Sequence, residues 1–470
     1  MTLTSCSDVA IPGRWRTRRF RVKNQMPISV AIIGSGPAGF YTADALLKCG
    51  EACKIDIIER LPTPYGLIRG GVAPDHQTTK RVARKYEQTA LVDEVNYYGN
   101  VEINKDFALD ELRQLYDAVV LAVGAPEDRK LTIPGADKYG VLGSAAFVGW
   151  YNGHPDFRDL DLDLDISTAV VIGNGNVAID CARVLLRTPR GMSASDLPDH
   201  VGDVIHAAPI TDVYLVGRRG PADAKFTNVE LREMGELTET VPQMKSNHMP
   251  GSIEKMVATL KGRERRLKVR NLNSLAEFAE RAVDEKPKRV HFEFYAQPVE
   301  ILGGDRVEGI RFERTEVNDG RASGTGETFD IDCGLVISAI GYRADPIEGA
   351  PYDEKQAIIP NDEGRVDDGL YAVGWIKRGP AGVISSNRPD GETVAQHIEK
   401  DFAGGGSKPG RTAFQAALKE RGVRSVNFDD WKRIDEIEQA AADGTAPRRK
   451  FVTVEEMLDA LDGKAQAIGD

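Results

Sequence analysis

Short apolar runs alternate along this chain with stretches of helical periodicity, the pattern of an α/β protein. Ile28–Ile33 is an apolar run closed by Gly34, and Phe40–Lys48, rich in Ala and Leu, predicts a helix. Ile55–Ile58, Ala169–Ile172 and Val213–Val216 predict further strands, and Val177–Arg187 a second such helix. Tyr116–Gly124, Leu335–Gly341 and Leu370–Gly374 share one form, an apolar strand ending in glycine, as expected where backbone approaches a nucleotide. Helices are also predicted over Glu254–Arg270, Val383–Lys400, Arg411–Arg421 and Val452–Leu461. Thr188–Pro209, with its prolines, reads as a loop or a short added helix, and Gly404–Gly410 as a flexible linker.

Two glycine-rich loops stand directly after predicted strands. The first is Gly34-Ser-Gly36-Pro-Ala38-Gly39, the second Gly173-Asn174-Gly175-Asn176-Val177-Ala178. In such a loop the first glycine permits the tight turn, the second admits a pyrophosphate to the backbone, and the third position packs helix on strand. The following helix offers free amides and its positive dipole end to the phosphates. Glu59 follows Gly39 by 20 residues, the place of a carboxylate that accepts ribose hydroxyls. The second loop is followed by Arg218 and Arg219 about 40 residues on, double the usual spacing, which an insertion at Thr188–Pro209 explains. Arginines there favour a 2′-phosphate. Two dinucleotides are therefore expected, with NADP at the second loop.

A chain of 470 residues predicts two domains or more, and its net charge of −11 argues against a general nucleic-acid binder. No apolar run reaches the length of a membrane span. Five scattered cysteines contain no CxxC pair, which fits a reducing compartment and gives no expectation of zinc, an iron–sulfur cluster or a redox disulfide. No metal site is expected. Residues 1–26 carry six cations and one acid. They read as a basic, disordered extension, with a transit-like peptide as the alternative.

The longer motifs resemble the adrenodoxin-reductase type of ferredoxin–NADP reductase, an FAD flavoprotein family. They are GSGPAGFYTA (Gly34–Ala43), PTPYGLIRGGVAPDH (Pro62–His76), FVGWYNGHP (Phe147–Pro155), VIGNGNVAIDCARVLL (Val171–Leu186), LVGRRGP (Leu215–Pro221), ELRE (Glu230–Glu233) and GWIKRGPAGVI (Gly374–Ile384). The resemblance implies two Rossmann-like dinucleotide-binding domains in a glutathione-reductase-like arrangement, the NADP domain inserted in a discontinuous FAD domain. It places the FAD domain at 27–127 and 343–470 and the NADP domain at 128–342, with crossings near Ala125–Arg129 and Gly341–Pro346. It implies FAD contacts at Gly34, Gly36, Ala38, Gly39, Glu59, Leu67, Ile103, Trp375, Gly382, Val383 and Ile384. NADP contacts are implied at Asn174, Gly175, Asn176, Val177, Arg218, Arg219 and Glu230, with Gly382 touching both cofactors. His76 and Glu233 match polar residues near the nicotinamide and flavin. Ala381 stands where the family commonly has threonine, and Ser385–Ser386 depart from its usual residues.

The implied activity is NADPH:ferredoxin oxidoreduction. A hydride passes from NADPH to FAD, then single electrons pass to a [2Fe–2S] ferredoxin that could serve a cytochrome P450 or iron–sulfur assembly. The alternatives are a flavin-dependent NADPH oxidase or monooxygenase, and a non-catalytic NADP-binding protein on the same fold. A monomer in the cytoplasm is expected, or in the mitochondrial matrix if residues 1–26 are a transit peptide. Docking of an acidic ferredoxin on an acidic chain requires a local basic surface, for which Lys255–Arg270 and Arg448–Lys450 are the candidates.

Overall fold

The computed structural model describes residues 26–283 and 286–464, so all but the last residue of the basic extension lies outside the described residues. Strands β1 (Ile28–Ile33), β2 (Cys53–Ile58), β3 (Val95–Tyr98) and β4 (Ala118–Leu121) come first, and β5 (Glu127–Asp128) leads away from them. β6 (Val141–Gly143), β7 (Thr168–Ile172), β8 (Asp212–Gly217), β9 (Thr240–Met244) and β10 (Lys288–Phe294) follow. Then come β11 (Ala296–Leu302), β12 (Gly309–Asn318), β13 (Arg321–Asp332) and β14 (Leu335–Ser338). β15 (Tyr342–Arg343), β16 (Arg365–Asp367) and β17 (Leu370–Ala372) close the series.

The first sheet has the order β16-β17-β4-β1-β2-β3 and the second β6-β14-β7-β8-β10-β9. All pairs are parallel except β16 with β17. Parallel sheets are covered on both faces by helices, which is why β1 and β4 are buried at every position instead of alternating. The chain leaves the first sheet after β4 and re-enters it at β16, so the second sheet is an insertion. The outgoing and returning strands run side by side as an antiparallel pair, Asp128 opposite Tyr342 and Glu127 opposite Arg343. A three-stranded antiparallel sheet, β11-β12-β13, is appended to the inserted unit.

Several elements differ from the sequence expectation. The basic segment Glu254–Arg270 is two helices, Ile253–Met256 and Gly262–Ala279, parted at Gly262, whose φ is +57°. The insertion Thr188–Pro209 holds two helices, Pro189–Met192 and Asp199–Ala207. Val383–Lys400 opens as a 3₁₀ turn, Ile384–Ser386, before the helix Asn387–Asp401. Gly391 weakens that helix by propensity alone. In the fold a Cβ there would lie 2.8 Å from the Thr42 amide nitrogen, so only glycine lets the helix rest on the backbone of Pro37–Leu46.

Gly404–Gly410 is strapped down rather than flexible. Asp117, almost fully buried, accepts bonds from the Ser407 amide (2.8 Å), the Lys408 amide (3.1 Å) and the Ser29 amide and hydroxyl (2.8 and 2.7 Å). The Gly410 amide donates to the Leu115 carbonyl at 2.8 Å. Glycine-rich composition signals freedom only until a buried acceptor claims the amides.

Burial opposes the charge on Asp117, but the amides and hydroxyl aimed at it outweigh burial and lower its pKa. Its contribution to stability is therefore fully present above the ordinary aspartate value and is lost as pH falls through the lowered folded value. Asp117→Asn sets an NH₂ group against a ring of donors and should destabilise the protein by about 1–3 kcal/mol at neutral pH. The gap from the parent protein should narrow below about pH 4. Urea unfolding at pH 7 and in mild acid measures both.

Candidate functional site

Each glycine loop stands at the C-terminal edge of its own parallel sheet, where α/β folds place their ligands. At the first, Gly34 has φ +105°, and a Cβ on it would meet the Ala122 carbonyl oxygen at 2.6 Å. A Cβ on Gly39 would meet the Gly34 carbonyl oxygen at 2.1 Å. Gly36 is different, because its Cβ would have nothing closer than the Gly66 Cα at 4.0 Å. That space lies at the N-terminus of helix Pro37–Leu46, where no side chain caps the free amides. The cradle fits a pyrophosphate.

Glu59 is held ready beside this cradle. Its carboxylate accepts from the Ser35 amide (3.0 Å) and hydroxyl (2.7 Å) and from the Leu61 amide (3.2 Å). Ala38 is buried and touches Gly374, where a Cβ would lie 2.7 Å from the Ala38 Cβ. The contact joins the first loop to the Gly374–Ile384 segment. Leu67 is exposed and Ile103 half-buried. Trp375 lies 5.8 Å from the Tyr342 ring and donates its indole N–H to the Ala381 carbonyl at 3.2 Å. Gly382 has φ +89°, Val383 is exposed and Ile384 half-buried. The helix predicted to open at Val383 begins later. The helix proper starts at Asn387, and the Val383 amide is already bonded to the Ser386 hydroxyl at 3.0 Å.

The second loop repeats the cradle. Gly175 has open space where its Cβ would be, and helix Asn176–Leu186 begins there without a side-chain cap. The two asparagines also hold the loop that follows β8. The Asn174 carbonyl accepts the Lys225 amide and the Asn176 side chain accepts the Thr227 amide, both at 2.8 Å. Val177 is half-buried beside them. Arg218 is exposed and its guanidinium has no counter-ion among the described residues, whereas Arg219 reaches Asp223 at 3.5 Å. Glu230 is half-buried, with one carboxylate oxygen buried and unbonded.

His76 and Glu233, 157 positions apart, meet at 2.8 Å. Burial lowers the His76 pKa, but the Glu233 bond, helped by Asp180 and Asp75, outweighs it, so the net shift is upward. The reciprocal shift on Glu233 is downward: burial raises it and the His76 bond and Arg183 charge prevail. A cavity of about 200 Å³ opens beside the pair, lined by Asp75, Arg187 and Thr188 among others.

Sequence reasoning missed the cluster beneath that pair. Arg183, fully buried, binds Asp75 in bidentate fashion at 2.8 and 3.0 Å, Asp180 at 2.8 Å and Glu233 at 3.3 Å. Arg187 also pairs with Asp75. Burial would raise the Asp75 pKa, but the Arg183 bonds and the two arginine charges hold it down at about 2. A signal was present. Asp180 and Arg183 are charges set three apart in a helix whose neighbours are apolar and buried, which asks for a buried partner.

The expected docking patch Arg448–Lys450 is overturned. Arg448 is paired with Asp435 and Glu438, Arg449 with Asp199, and Lys450 is buried against Asp196 and the Asn152 carbonyl. In the basic helical region, Lys255, Lys261, Arg263, Arg266 and Arg270 are exposed.

With this geometry in hand, the comparisons with known proteins are specific. The family model for pyridine nucleotide-disulphide oxidoreductases matches residues 28–388. The chain is 39% identical to the mitochondrial NADPH:adrenodoxin oxidoreductase of Arabidopsis thaliana, over 94% of this chain and 97% of that protein. It is 41% identical to the human counterpart, over 94% and 93%. The solved structure of Mycobacterium tuberculosis FprA in complex with NADPH superposes with a TM-score of 0.89 at 37% identity, covering 93% of this chain and all of that one. The described cysteines, Cys49, Cys53, Cys181 and Cys333, are all free thiols. The chain belongs to the pyridine nucleotide-disulphide oxidoreductase family, and within it to the group of adrenodoxin reductases and FprA-type NADPH–ferredoxin reductases, which are FAD flavoproteins.

Proposed function

We propose that this chain is an FAD-dependent NADPH:ferredoxin oxidoreductase. The observation that carries the reading is the unlike pair of cradles. One is joined to a carboxylate already bonded to its own loop, Glu59. The other is joined to an arginine with no counter-ion among the described residues, Arg218. FAD held at the first cradle by the Gly36 loop and Glu59 would supply the redox chemistry, two-electron hydride uptake from NADPH and one-electron release to a [2Fe–2S] ferredoxin. The reading assigns 27–127 and 343–470 to FAD and 128–342 to NADP.

The chain's own residues bind and orient. The uncapped amides after Gly36 and Gly175 take the two pyrophosphates, and Glu59 takes the ribose hydroxyls of FAD. Ala38, Leu67, Ile103, Trp375 and Gly382–Ile384 shape the flavin pocket; Asn174–Val177 and Glu230 line the NADP channel. Arg218 and Arg219 receive the 2′-phosphate as charge-assisted donors. His76, its pKa raised by the Glu233 bond, stands beside the cavity between the two units. Electron delivery to ferredoxin is assigned to the basic face of helix Gly262–Ala279, where Arg263, Arg266 and Arg270 are exposed. No helix among the described residues is long and apolar enough to cross a membrane. We assign a monomer, in the cytoplasm or, with residues 1–26 as a transit peptide, in the mitochondrial matrix.

Anaerobic mixing with NADPH should bleach the flavin band rapidly, and a [2Fe–2S] ferredoxin should restore it. Absence of a bound flavin, or a flavin that NADPH leaves oxidised, would leave only a nucleotide-binding protein; an oxygenated organic product would favour a monooxygenase. Arg218→Ala with Arg219→Ala should lower kcat/KM for NADPH about a hundredfold or more, since each arginine gives a charge-assisted bond. The same double change should leave NADH turnover nearly unaltered.

Glu233→Gln removes the bond that raises the His76 pKa, so burial then dominates and the histidine loses its proton at lower pH. In single-turnover flavin reduction followed against pH, the limb belonging to His76 should move to the acid side. An unmoved limb would detach His76 from the reaction. Arg263→Glu with Arg266→Glu should slow ferredoxin reduction about tenfold at low salt, with the difference shrinking as salt rises. Reduction of a small dye by the same variant should be unchanged.

A further inference from the structure

The appended sheet β11-β12-β13 has no part in either nucleotide cradle, yet it reaches the turn that carries the two arginines. The Thr315 hydroxyl donates to the Arg218 carbonyl at 2.7 Å. The Tyr295 amide donates to the next carbonyl, that of Arg219, at 3.3 Å. The two holders are themselves tied, the Thr315 amide donating to the Tyr295 carbonyl at 2.9 Å. Both peptide planes after the arginine α-carbons are thus fixed from one side, and with them the directions in which the side chains leave the backbone.

Three features show that this contact is built into the fold. Thr315 is almost fully buried, at 5% exposure, although it is a polar residue on a sheet whose β13 is largely exposed. The β12–β13 register shifts between Glu313 and Thr315, and such irregularities re-aim a side chain. Tyr295 adopts φ +55°, a left-handed conformation that a bulky non-glycine residue rarely takes. Its hydroxyl lies over Gly220, where a Cβ would come within 2.3 Å, closing the turn from the far end.

The two arginines differ in what else holds them. Arg219 has a side-chain partner in Asp223 at 3.5 Å. Arg218 has none among the described residues, so its aim depends on its main chain alone. We infer that Thr315 is a positioning residue for nucleotide selection: it fixes the Arg218 carbonyl so that the guanidinium is presented to a 2′-phosphate. This rests on the assignment of the arginine pair to the 2′-phosphate, which the experiment tests separately.

Flavin-loaded enzyme is titrated calorimetrically with 2′,5′-ADP and with 5′-AMP, which differ only in the 2′-phosphate. Thr315→Val keeps the shape and removes the donor, and should weaken 2′,5′-ADP about five- to tenfold, the size of one hydrogen bond. Binding of 5′-AMP should be unchanged, and Thr315→Ser should restore the parent affinity for 2′,5′-ADP. Thr315→Ala serves as the second donor-less variant if valine disturbs folding, judged by melting temperature and flavin content. Unchanged 2′,5′-ADP affinity, equal weakening of both ligands, or a serine variant that behaves like valine overturns the inference. The Arg218→Ala, Arg219→Ala protein is titrated alongside. If it binds 2′,5′-ADP as the parent does, the arginine assignment itself falls; if it loses affinity and Thr315→Val does not, only the role of Thr315 falls.

Discussion

A single guanidinium holds the two nucleotide units in register. Arg183 is fully buried on the helix that opens at the second glycine loop; it hydrogen-bonds Asp75 of the first unit and stands in ion-pair contact with Asp180 and Glu233 of its own. A buried charge of this kind is stable only when its donors are taken up with good geometry, and removing one partner costs about 3–5 kcal/mol. Because Glu233 is shared between Arg183 and His76, the packing of one unit on the other also sets where the histidine sits and raises its pKa. The cluster thus joins structure to chemistry at one point.

A second buried group ties the same units from another side. Asp196, in the insertion after the second loop's helix, lies between Lys80 of the first unit and Lys450 of the C-terminal segment at 2.8 and 3.2 Å. Burial would raise the Asp196 pKa, but the two lysines prevail and hold it at about 2. Nearby, Glu438 accepts from Arg69 at 2.5 and 2.9 Å and from the Phe451 amide at 3.0 Å. The C-terminal cations that looked like a docking surface are consumed in this framework. Of the two basic segments, the one that runs into helix Gly262–Ala279 keeps its exposed charge, at Arg263, Arg266 and Arg270.

The paired cradles express one physical device used twice. A parallel strand ends, a glycine turn follows, and the next helix presents free amides to a diphosphate. What distinguishes the sites is the residue at the end of the next strand and how it is held. Glu59 is fixed by its own loop at Ser35 and Leu61, whereas the Arg218 carbonyl is held by Thr315 of the appended sheet and the Arg219 carbonyl by Tyr295, the residue that joins β10 to β11.

The sequence by itself determined the α/β class, the two cradles, the acid after one and the arginines after the other. Each of these rests on local pattern, since strand, turn and helix start are neighbours in the chain. The helix Arg411–Arg421 was legible to the residue for the same reason. What only the tertiary structure decided depends on partners far apart in sequence. Gly404–Gly410 reads as slack until Asp117, about 290 positions earlier, takes its amides. Gly391 reads as a weakness until the backbone of Pro37–Leu46 is set against it. Arg448–Lys450 reads as a surface patch until Asp199, Asp196 and Glu438 arrive. Composition reports the charge or the freedom of a segment. Whether that charge is spent internally, or that freedom removed, is fixed by which groups the fold brings within hydrogen-bond reach, and no local pattern carries that information.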